Sequence, residues 1–398
     1  MTDDTLALSR WPDVLDALRH KGLRQALYDE GAVVMADCLL TLHGEPHRER
    51  RRLENRLFRR SVFEAWENEL LTATLDATLA PAVAAGQTDL VVLGYRLAMS
   101  LTAHIAGIDH DATDAEATEG LYAVVKHFSE GATLVHSTRD KGAVRAEVAA
   151  TLERFDAELL QPAIARRRAL LAACDGTAVP HDVLTTLLRN QDRLELPAEV
   201  VRREIAFYLQ AGAHSTANAF THTVDQLLTW GETHPADLAT ARADKGVVQR
   251  AVHETLRLWP ASPVAWRRAV ADTTVAGRPV PAGTLVVLDL MAANRDPGVW
   301  GADADRFDLG RTVPVGLWPW GLSFGAGMHA CIGQELDGGI VPDTASGDAA
   351  HLFGTVAVMA HAVLAHGAGR DPAAPPVLDP NSVRRHFSSY PIVFGAGG

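Results

Sequence analysis

A cysteine lies inside a glycine-rich turn near the C-terminus, in the segment FGAGMHACIG at residues 324–333. A thiolate that binds iron must be kept deprotonated, shielded from oxidation and close to backbone N–H groups. Glycines at 325, 327 and 333 would let the backbone approach the sulfur, which a residue with a Cβ would obstruct. The pattern indicates that Cys331 is a metal-binding thiolate. A chance glycine-rich turn around an inert cysteine is the other interpretation.

This segment resembles the cysteine-ligand loop of the cytochrome P-450 family, the haem-thiolate monooxygenases, which reads Phe-Gly-x-Gly-x-His-x-Cys-x-Gly. The resemblance implies that Cys331 is the proximal ligand to the iron of haem (heme b, iron protoporphyrin IX), with Phe324 and Gly325 beside the cofactor. Haem also carries two propionates, which need cations or hydrogen-bond donors. Four residues resemble the family's propionate partners: His47, Arg51, Arg267 and His329. Arg268 would replace Arg267 if the strand register slipped by one residue.

A second motif, AGAHST at residues 211–216, lies within the longest predicted helix, Pro197–Trp230. It resembles the family's Ala/Gly-Gly-x-acid-Thr-Thr/Ser. By that resemblance, Ala211 and Gly212 leave room for dioxygen, while a hydroxyl and an acid deliver protons for its cleavage. The resemblance assigns the catalytic role to three residues: His214, Ser215 and Thr216. His214 stands where the family has an acid. An imidazole can shuttle protons near neutral pH, but a core or capping histidine is an equal alternative.

The substrate pocket is expected to be mostly apolar. Its predicted residues occupy positions where family members touch substrate: Phe207, Gln210, Pro263, Val264 and Ser389, the last within Phe387–Tyr390. Each of them alone could be ordinary core. Together they predict an apolar cavity with one amide and one hydroxyl.

Two charged motifs are interpreted as structural or as docking features. Glu254 and Arg257 lie three residues apart on one helix face and resemble the family's Glu-x-x-Arg. That motif stabilises the cysteine loop, together with a segment that Asp305–Phe307 resembles. The predicted helix after His47 carries seven arginines: Arg48, Arg50, Arg51, Arg52, Arg56, Arg59 and Arg60. Such a run is usually a solvated face, but the resemblance favours a docking patch for an acidic ferredoxin, which a ferredoxin reductase would supply with electrons.

The elements that must position these residues are mainly helical. Apolar residues at three- and four-residue spacing predict these helices: Trp11–Lys21, His47–Leu71, Leu93–Ile108, Glu119–Glu130, Lys141–Cys174, His181–Asn190, Pro197–Trp230 and Val247–Leu258. Residues 274–290 predict short strands joined by tight turns. The fold expected is mainly α with a small β region, a single cytochrome P-450 domain over residues 1–398.

Two departures from the family pattern are expected. The first strand of the chain, at Thr5–Ser9, resembles the family's second strand, so the fold is expected to be shortened at its N-terminus. Residues 337–348 contain three glycines and a proline where the family continues a helix, which predicts a loop or a broken helix.

Composition restricts the functional class. A net charge of −12 over 398 residues argues against a nucleic-acid partner. No apolar run is long enough to span a bilayer, and the N-terminus has no basic region before an apolar one, so a cytoplasmic protein without a membrane partner is expected. The three cysteines are Cys38, Cys174 and Cys331, and they have no zinc or disulfide spacing.

The sequence therefore predicts a bacterial haem-thiolate monooxygenase. Electrons from ferredoxin would activate dioxygen to hydroxylate, demethylate or oxidatively couple an apolar or aromatic small molecule, in the tailoring of a natural product. Two alternatives stay open. One is a haem-thiolate enzyme of different chemistry, driven by peroxide or nitric oxide or acting as an isomerase. The other is a non-catalytic recruiter that keeps the fold.

Overall fold

The structure is a computed structural model that describes residues 5–173, 179–341 and 351–395. Helices form most of it. They are α1 (Trp11–Arg19), α2 (Ala32–Met35), α3 (Gly44–Glu54), α4 (Arg60–Ala65), α5 (Leu71–Ala85), α6 (Leu90–Ala106), α7 (Ala115–Ala132), α8 (Lys141–Phe155), α9 (Gln161–Ala172), α10 (Val183–Asn190), α11 (Ala198–Gly231), α12 (Pro235–Ala243), α13 (Lys245–Leu258), α14 (Leu290–Ala293), α15 (Pro297–Trp300), α16 (Gln334–Gly338) and α17 (Thr355–Ala365).

The strands are short and form four small sheets. They are β1 (Thr5–Leu8), β2 (Leu23–Gln25), β3 (Gln87–Asp89), β4 (Val264–Ala269), β5 (Thr273–Val275), β6 (Arg278–Val280), β7 (Leu285–Asp289), β8 (Ala368–Arg370), β9 (Val377–Leu378), β10 (Phe387–Ser389) and β11 (Pro391–Phe394). The largest sheet has the order β1-β7-β4-β2, in which β1 and β7 are parallel and the other pairs antiparallel. The predicted mainly α fold with a small β region is confirmed.

Helix α11 runs through the main core and packs on α6, α7, α13 and α17. Two glycines allow α6 to approach it closely. A Cβ on Gly212 would lie 2.4 Å from the methyl of Thr102, and a Cβ on Gly94 would lie 2.7 Å from the ring of Phe220. Because α11 is buried on nearly every side, it forms a fixed wall on which functional side chains can be held.

The predicted helix at His47–Leu71 is wrong in its continuity. Helix α3 ends at Glu54, and the chain turns through Phe58 and an extended Arg59 before α4 begins. The turn partly buries Phe58, whose ring stacks 6.0 Å from that of Tyr208 on α11 and meets Trp66 edge to face. Aromatic packing thus overrides the helical periodicity.

Other helices differ from prediction mainly at their ends. The segment predicted at Lys141–Cys174 forms α8 and α9, joined by a π turn at Asp156–Leu160, and Cys174 lies outside the described residues. Pro197 caps α11 instead of starting its first turn. Helices α5, α12 and α17 were not predicted, nor were the short helices α2, α14 and α15.

The helix after the cysteine loop is short, as predicted. Helix α16 ends at Gly338, and Gly339 follows with φ of 74°. A Cβ on Gly339 would lie 2.3 Å from the carbonyl oxygen of Phe353, so only glycine allows the two segments to pass here. Residues 342–348 of the predicted irregular segment lie outside the described residues. Over the described ranges, no helix has the length and hydropathy that crossing a membrane requires.

Candidate active site

A cavity of about 320 Å³ separates α11 from the cysteine loop. Its volume falls within the range of small-molecule sites. Eleven of the predicted site residues line it: Phe207, Gln210, Ala211, Gly212, His214, Ser215, Thr216, Val264, Arg267, Phe324 and Gly325. Cys331 and the predicted propionate partners His47, Arg51 and His329 line it as well. The tertiary fold therefore brings nearly all of the predicted site residues to one cavity.

Cys331 presents its sulfur to this cavity, so its side chain is exposed although it lies deep in the protein. The loop is closed by a hydrogen bond from the Cys331 N–H to the Phe324 carbonyl, 2.8 Å long. Gly325 and Gly327 have φ near +70°, which favours glycine, whereas Gly333 has φ of −97°. The predicted crowding of the sulfur is not what requires these glycines: a Cβ on Gly327 would first meet the Arg19 Cα at 2.9 Å, and a Cβ on Gly333 would meet nothing within 4 Å.

The electrostatics around Cys331 favour a thiolate only when a cation is present. Burial and the carboxylate of Asp337 raise the pKa of Cys331 to about 11, while the N–H of Gly333 and the charge of Arg51 lower it. A metal ion bound to the sulfur reverses this balance, since a coordinated thiol loses its proton outright.

Two imidazoles at the cavity have no hydrogen-bond partner among the described residues. The rings of His47 and His329 lie 4.6 Å apart, and both nitrogens of each ring are buried and unpaired. Desolvation and nearby positive charge lower the pKa of His47 to about 4 and that of His329 to about 3. Buried polar atoms are rarely left unpaired, so these rings fit an acceptor such as a haem propionate.

Two arginines complete this cationic end of the cavity. Arg51 on α3 donates to the Ala330 carbonyl at 2.8 Å, which ties the helix to the cysteine loop. Arg267 on β4 is 3% exposed and donates to the side chain of Gln25 at 2.6 Å. Desolvation lowers the pKa of Arg267 to about 10. Arg268 instead donates to the Gly283 carbonyl near the surface, so the register places Arg267 at the cavity. The donor set fits two carboxylates.

On the opposite wall, α11 presents a buried histidine. The ring of His214 forms a hydrogen bond through Nδ1 with the hydroxyl of Tyr95 on α6, and its carbonyl accepts from the Asn218 amide at 2.7 Å. Desolvation, followed by the charges of Arg384 and His386, holds the pKa of His214 well below its usual range. His214 is therefore a neutral imidazole at ordinary pH.

The two hydroxyls after His214 have different partners. Ser215 donates to the Ala211 carbonyl at 2.6 Å, one turn earlier on the same helix. Thr216 donates to Asp337 at 2.7 Å, so it links α11 to the helix that follows Cys331. Burial raises the pKa of Asp337 to about 6. Sequence reasoning missed Asp337, because only the fold brings it opposite Thr216.

Pro263 and Ser389 lie outside the lining of the cavity, contrary to prediction. The carbonyl of Pro263 accepts from the N–H groups of Leu290 and Met291, so this residue joins β4 to α14. Ser389 donates to Asp89 at 2.6 Å in the sheet that holds β3. From this C-terminal segment the residue that lines the cavity is Arg384, which lies before the predicted turn.

The predicted Glu254–Arg257 pair is buried and more extensive than expected. Arg257 donates twice to Glu254 at 2.7 Å and once each to the carbonyls of Asn294 and Ala304. The second cation on Glu254 is Arg311, at 2.6 Å. Of the predicted segment Asp305–Phe307, only the Arg306 carbonyl takes part, at 3.4 Å. The segment therefore contributes to the cluster, as expected, through this carbonyl, which also accepts from Arg311 at 3.0 Å.

The arginines of the segment after His47 differ in exposure: some point into the protein and the others are exposed on its surface. Arg50 is buried in an ion pair with Glu204 of α11, with 2.9 Å between nitrogen and oxygen. Arg51 faces the cavity. Five are exposed: Arg48, Arg52, Arg56, Arg59 and Arg60. We call these five the arginine patch. Two of them have acidic neighbours, Glu45 for Arg48 and Glu64 for Arg60.

Known proteins resemble this chain at several levels. The family model described as cytochrome P-450 matches residues 239–336, which hold Glu254, Arg257 and Cys331. Vitamin D(3) 25-hydroxylase of Pseudonocardia autotrophica is 34% identical over 161 residues, or 39% of this chain and 38% of that protein. Pulcherriminic acid synthase of Bacillus subtilis (strain 168) is 26% identical over 344 residues, or 84% of this chain and 79% of that protein.

Among solved structures, CalO2 is similar with a TM-score of 0.76 at 24% identity, covering 98% of this chain and 91% of that one. This likeness establishes the fold. The alignment with the hydroxylase spans well under half of that relative's own length. The family model covers the cysteine loop and the Glu-x-x-Arg helix, and the structural likeness extends over nearly the whole chain. Haem is the cofactor of the family, and the donors around the cavity fit it. Residues 239–336 therefore match the cytochrome P-450 family, and nearly the whole chain shares its fold with the solved structure.

Proposed function

We propose that this protein is a haem-thiolate monooxygenase that oxidises an apolar or aromatic small molecule. One observation carries the proposal: Cys331 faces a cavity whose nearby wall holds two unpaired imidazoles and two arginines. Bound haem would supply the redox chemistry, in which dioxygen, two electrons and two protons give one inserted oxygen atom and one water. Oxidative tailoring of a natural product is the role that we propose.

The residues of this chain have separate tasks in that reaction. Cys331 would bind the iron, and the Gly333 N–H would temper the charge on sulfur. Four residues would hold the propionates: His47, Arg51, Arg267 and His329. Phe207 and Val264 would exclude water from the substrate chamber, and Gln210 would offer its amide, since its weak contact to the Met35 sulfur at 3.9 Å is easily exchanged.

The test is incorporation of labelled oxygen. The haem-loaded protein, a ferredoxin, a ferredoxin reductase and NADPH would be incubated with a panel of apolar aromatic compounds under isotopically labelled dioxygen. We expect one labelled oxygen atom per product molecule for at least one compound. Product that carries oxygen from water, or product that forms equally well without electron donors, would contradict a monooxygenase.

We propose that Ser215 and His214 handle protons during dioxygen cleavage. Both line the cavity, and because His214 is neutral, it would relay a proton between its two nitrogens and not act as a standing acid. Tyr95, hydrogen-bonded to Nδ1, would fix the tautomer. Thr216 would stay bound to Asp337 as the second hydroxyl of the group.

Ser215→Ala is expected to lower product formation by roughly 10²–10⁴-fold, the usual contribution of general acid catalysis. Substrate binding should persist, and the electrons should appear as hydrogen peroxide, because dioxygen is reduced without productive protonation. His214→Ala should slow turnover, and His214→Asp should preserve or raise it. Product and peroxide would be measured per NADPH consumed.

A matched control is Thr221→Ala. Thr221 makes the same bond to the carbonyl one turn earlier, Ala217, at 2.9 Å, but does not line the cavity. It should leave coupling unchanged. Unaltered turnover and coupling in Ser215→Ala and His214→Ala would exclude both residues from the relay, and the protons would then come from water or from the substrate.

We also propose that the arginine patch docks an acidic ferredoxin. The hydrogen bond from Arg51 to the Ala330 carbonyl places α3 directly against the cysteine loop, so a partner on this surface would lie close to the thiolate side of the cofactor. In a chain of net charge −12, five exposed arginines close together form a local positive surface.

Arg52→Glu combined with Arg56→Glu is expected to slow ferredoxin-driven reduction by roughly 10–10³-fold at low salt, because these charges steer the encounter. Substrate binding should not change. The control is Arg10→Glu with Arg278→Glu, which changes the net charge equally at exposed sites on other elements. Stopped-flow reduction against ionic strength measures both. An equal effect of the control pair, or a rate independent of salt, would disprove a specific patch.

A further inference from the structure

Arg384 is a buried guanidinium at the cavity with no carboxylate partner among the described residues. It is 9% exposed and makes two weak or neutral hydrogen bonds, to the Thr133 hydroxyl at 3.0 Å and the Ala261 carbonyl at 3.4 Å. Its Nε–H is buried and unpaired. A guanidinium has five N–H donors, so most of the hydrogen-bond donors of Arg384 have no acceptor among the described residues. A buried charge is normally paired, because desolvation is otherwise not offset.

The surroundings of Arg384 are positive. Burial lowers the pKa of Lys126, and burial and the charge of Arg384 lower that of His136 to about 3. The acidic groups nearby are already engaged: Asp379 accepts from His386 at 3.2 Å, and Glu130 is paired with Arg139 at 2.8 Å. The described residues thus provide no carboxylate that is hydrogen-bonded to this guanidinium. Desolvation lowers the pKa of Arg384 to about 10, and the charge of Asp379 opposes this shift only in part.

Arg384 acts on groups at both sides of the cavity: burial raises the pKa of Tyr28, and the charges of Arg267 and Arg384 both lower it. The charge of Arg384 also lowers the pKa of His214, whereas the pKa of His329 responds to Arg267, His47 and Arg51. Its hydrogen bonds reach the loop after α7 and the segment before β4, on the wall where substrate would lie. Because Arg384 also lines the cavity, its guanidinium lies beside the space where substrate would bind.

Resting on the proposed function, we infer that Arg384 binds a carboxylate of the substrate, so that the natural substrate is an apolar or aromatic molecule bearing an acid group. The planar fork of the guanidinium fits a carboxylate through two parallel hydrogen bonds. The carboxylate of the substrate would be held at one end of the cavity, and the apolar part of the substrate would pack against Phe207 and Val264. Arg384 would thus determine both the substrate class and the orientation in which substrate is oxidised.

The test compares acids with their neutral amides on the haem-loaded protein. The probes are decanoate with decanamide, and 4-phenylbutyrate with 4-phenylbutyramide, measured by equilibrium dialysis and by the spin-state change of the ferric haem. A charge-assisted hydrogen bond is worth about 1.5–3 kcal/mol, so the acids should bind about 10–100-fold more tightly than the amides. Arg384→Gln should remove this preference by weakening the acids alone, and Arg384→Lys should keep part of it.

Arg385→Gln is the matched control. Arg385 is the next residue along the chain and exposed, with its guanidinium 5.3 Å from the ring of Trp259, so its removal should leave the preference intact. Equal binding of acid and amide by the wild type, or a preference that persists in Arg384→Gln, would overturn the inference. So would loss of haem in Arg384→Gln and Arg384→Lys, which would make Arg384 a cofactor ligand. If the reduced wild-type protein showed no thiolate-type carbon monoxide spectrum, the proposed function would fail. The inference on Arg384 would still be tested, because equilibrium dialysis measures the preference for acids without relying on the haem spectrum.

Discussion

Cys331→Ala is expected to abolish both monooxygenase activity and the red-shifted Soret band that reduced, carbon monoxide-treated haem-thiolate proteins show. The reason is that the sulfur of Cys331 faces the cavity, in a loop held by the Phe324 carbonyl and directed by glycines with positive φ. An alanine leaves no ligand on this wall. Difference spectra of the reduced protein under carbon monoxide measure the effect directly.

Cys38→Ala is the control for this experiment. Cys38 is fully buried in the core, its S–H points to the Val34 carbonyl at 3.6 Å, and burial holds its pKa well above the usual range. Such a thiol is inert, so the band should persist. Cys174→Ala is expected to keep it too. A wild-type spectrum of the imidazole type, or a band that survives Cys331→Ala, would refute the assignment of the ligand.

The cysteine loop and the long helix could be predicted from sequence because local chemistry constrains them. Positive φ favours glycine, as at Gly325 and Gly327, so the positions of such turns can be read from the glycines in the sequence. Helix α11 was predicted within one residue at each end because its periodicity is long and uninterrupted.

The residues that sequence reasoning missed owe their position to tertiary contacts. Asp337 was seen only as part of an irregular segment, yet the fold sets its carboxylate against Thr216. Arg384 lies in a stretch with no periodic pattern and reaches the cavity because the chain there pairs with His136, whose carbonyl accepts from the Val383 N–H at 2.9 Å. The break in the predicted helix at Phe58 has the same origin, since packing on α11 outweighs local propensity.

Arg257→Met is expected to lower the free energy of unfolding by about 3–5 kcal/mol, because it removes one of the two cations that pair with the buried Glu254 carboxylate. The Arg257 side chain is 0% exposed and that of Glu254 is 5% exposed. The substitution also leaves the carbonyls of Asn294 and Ala304 without their donor. Urea unfolding of the haem-loaded protein, followed by far-ultraviolet circular dichroism, measures the loss.

The control is Arg96→Met, which removes an arginine from an exposed pair with Glu119. Both side chains are at least 40% exposed, so the expected cost is about 0–1 kcal/mol. A loss in Arg257→Met no larger than that in Arg96→Met would mean that Arg311 alone compensates Glu254, and the cluster would not stabilise the fold as argued.

The cluster should also stabilise the cysteine loop, through Asn294. The side chain of Asn294 donates to the Arg257 carbonyl at 2.9 Å and accepts from the Leu322 N–H at 2.7 Å, two residues before Phe324. Arg257 in turn donates to the Asn294 carbonyl at 2.6 Å.

Because this chain of hydrogen bonds ends at the loop that holds Cys331, Arg257→Met should lose the thiolate-type carbon monoxide band at a lower urea concentration than the wild type does. The band should disappear before the far-ultraviolet signal changes, since the loop is released before the helices unfold. If band and helical signal were lost together in the variant, the cluster would support the fold as a whole and not the loop in particular.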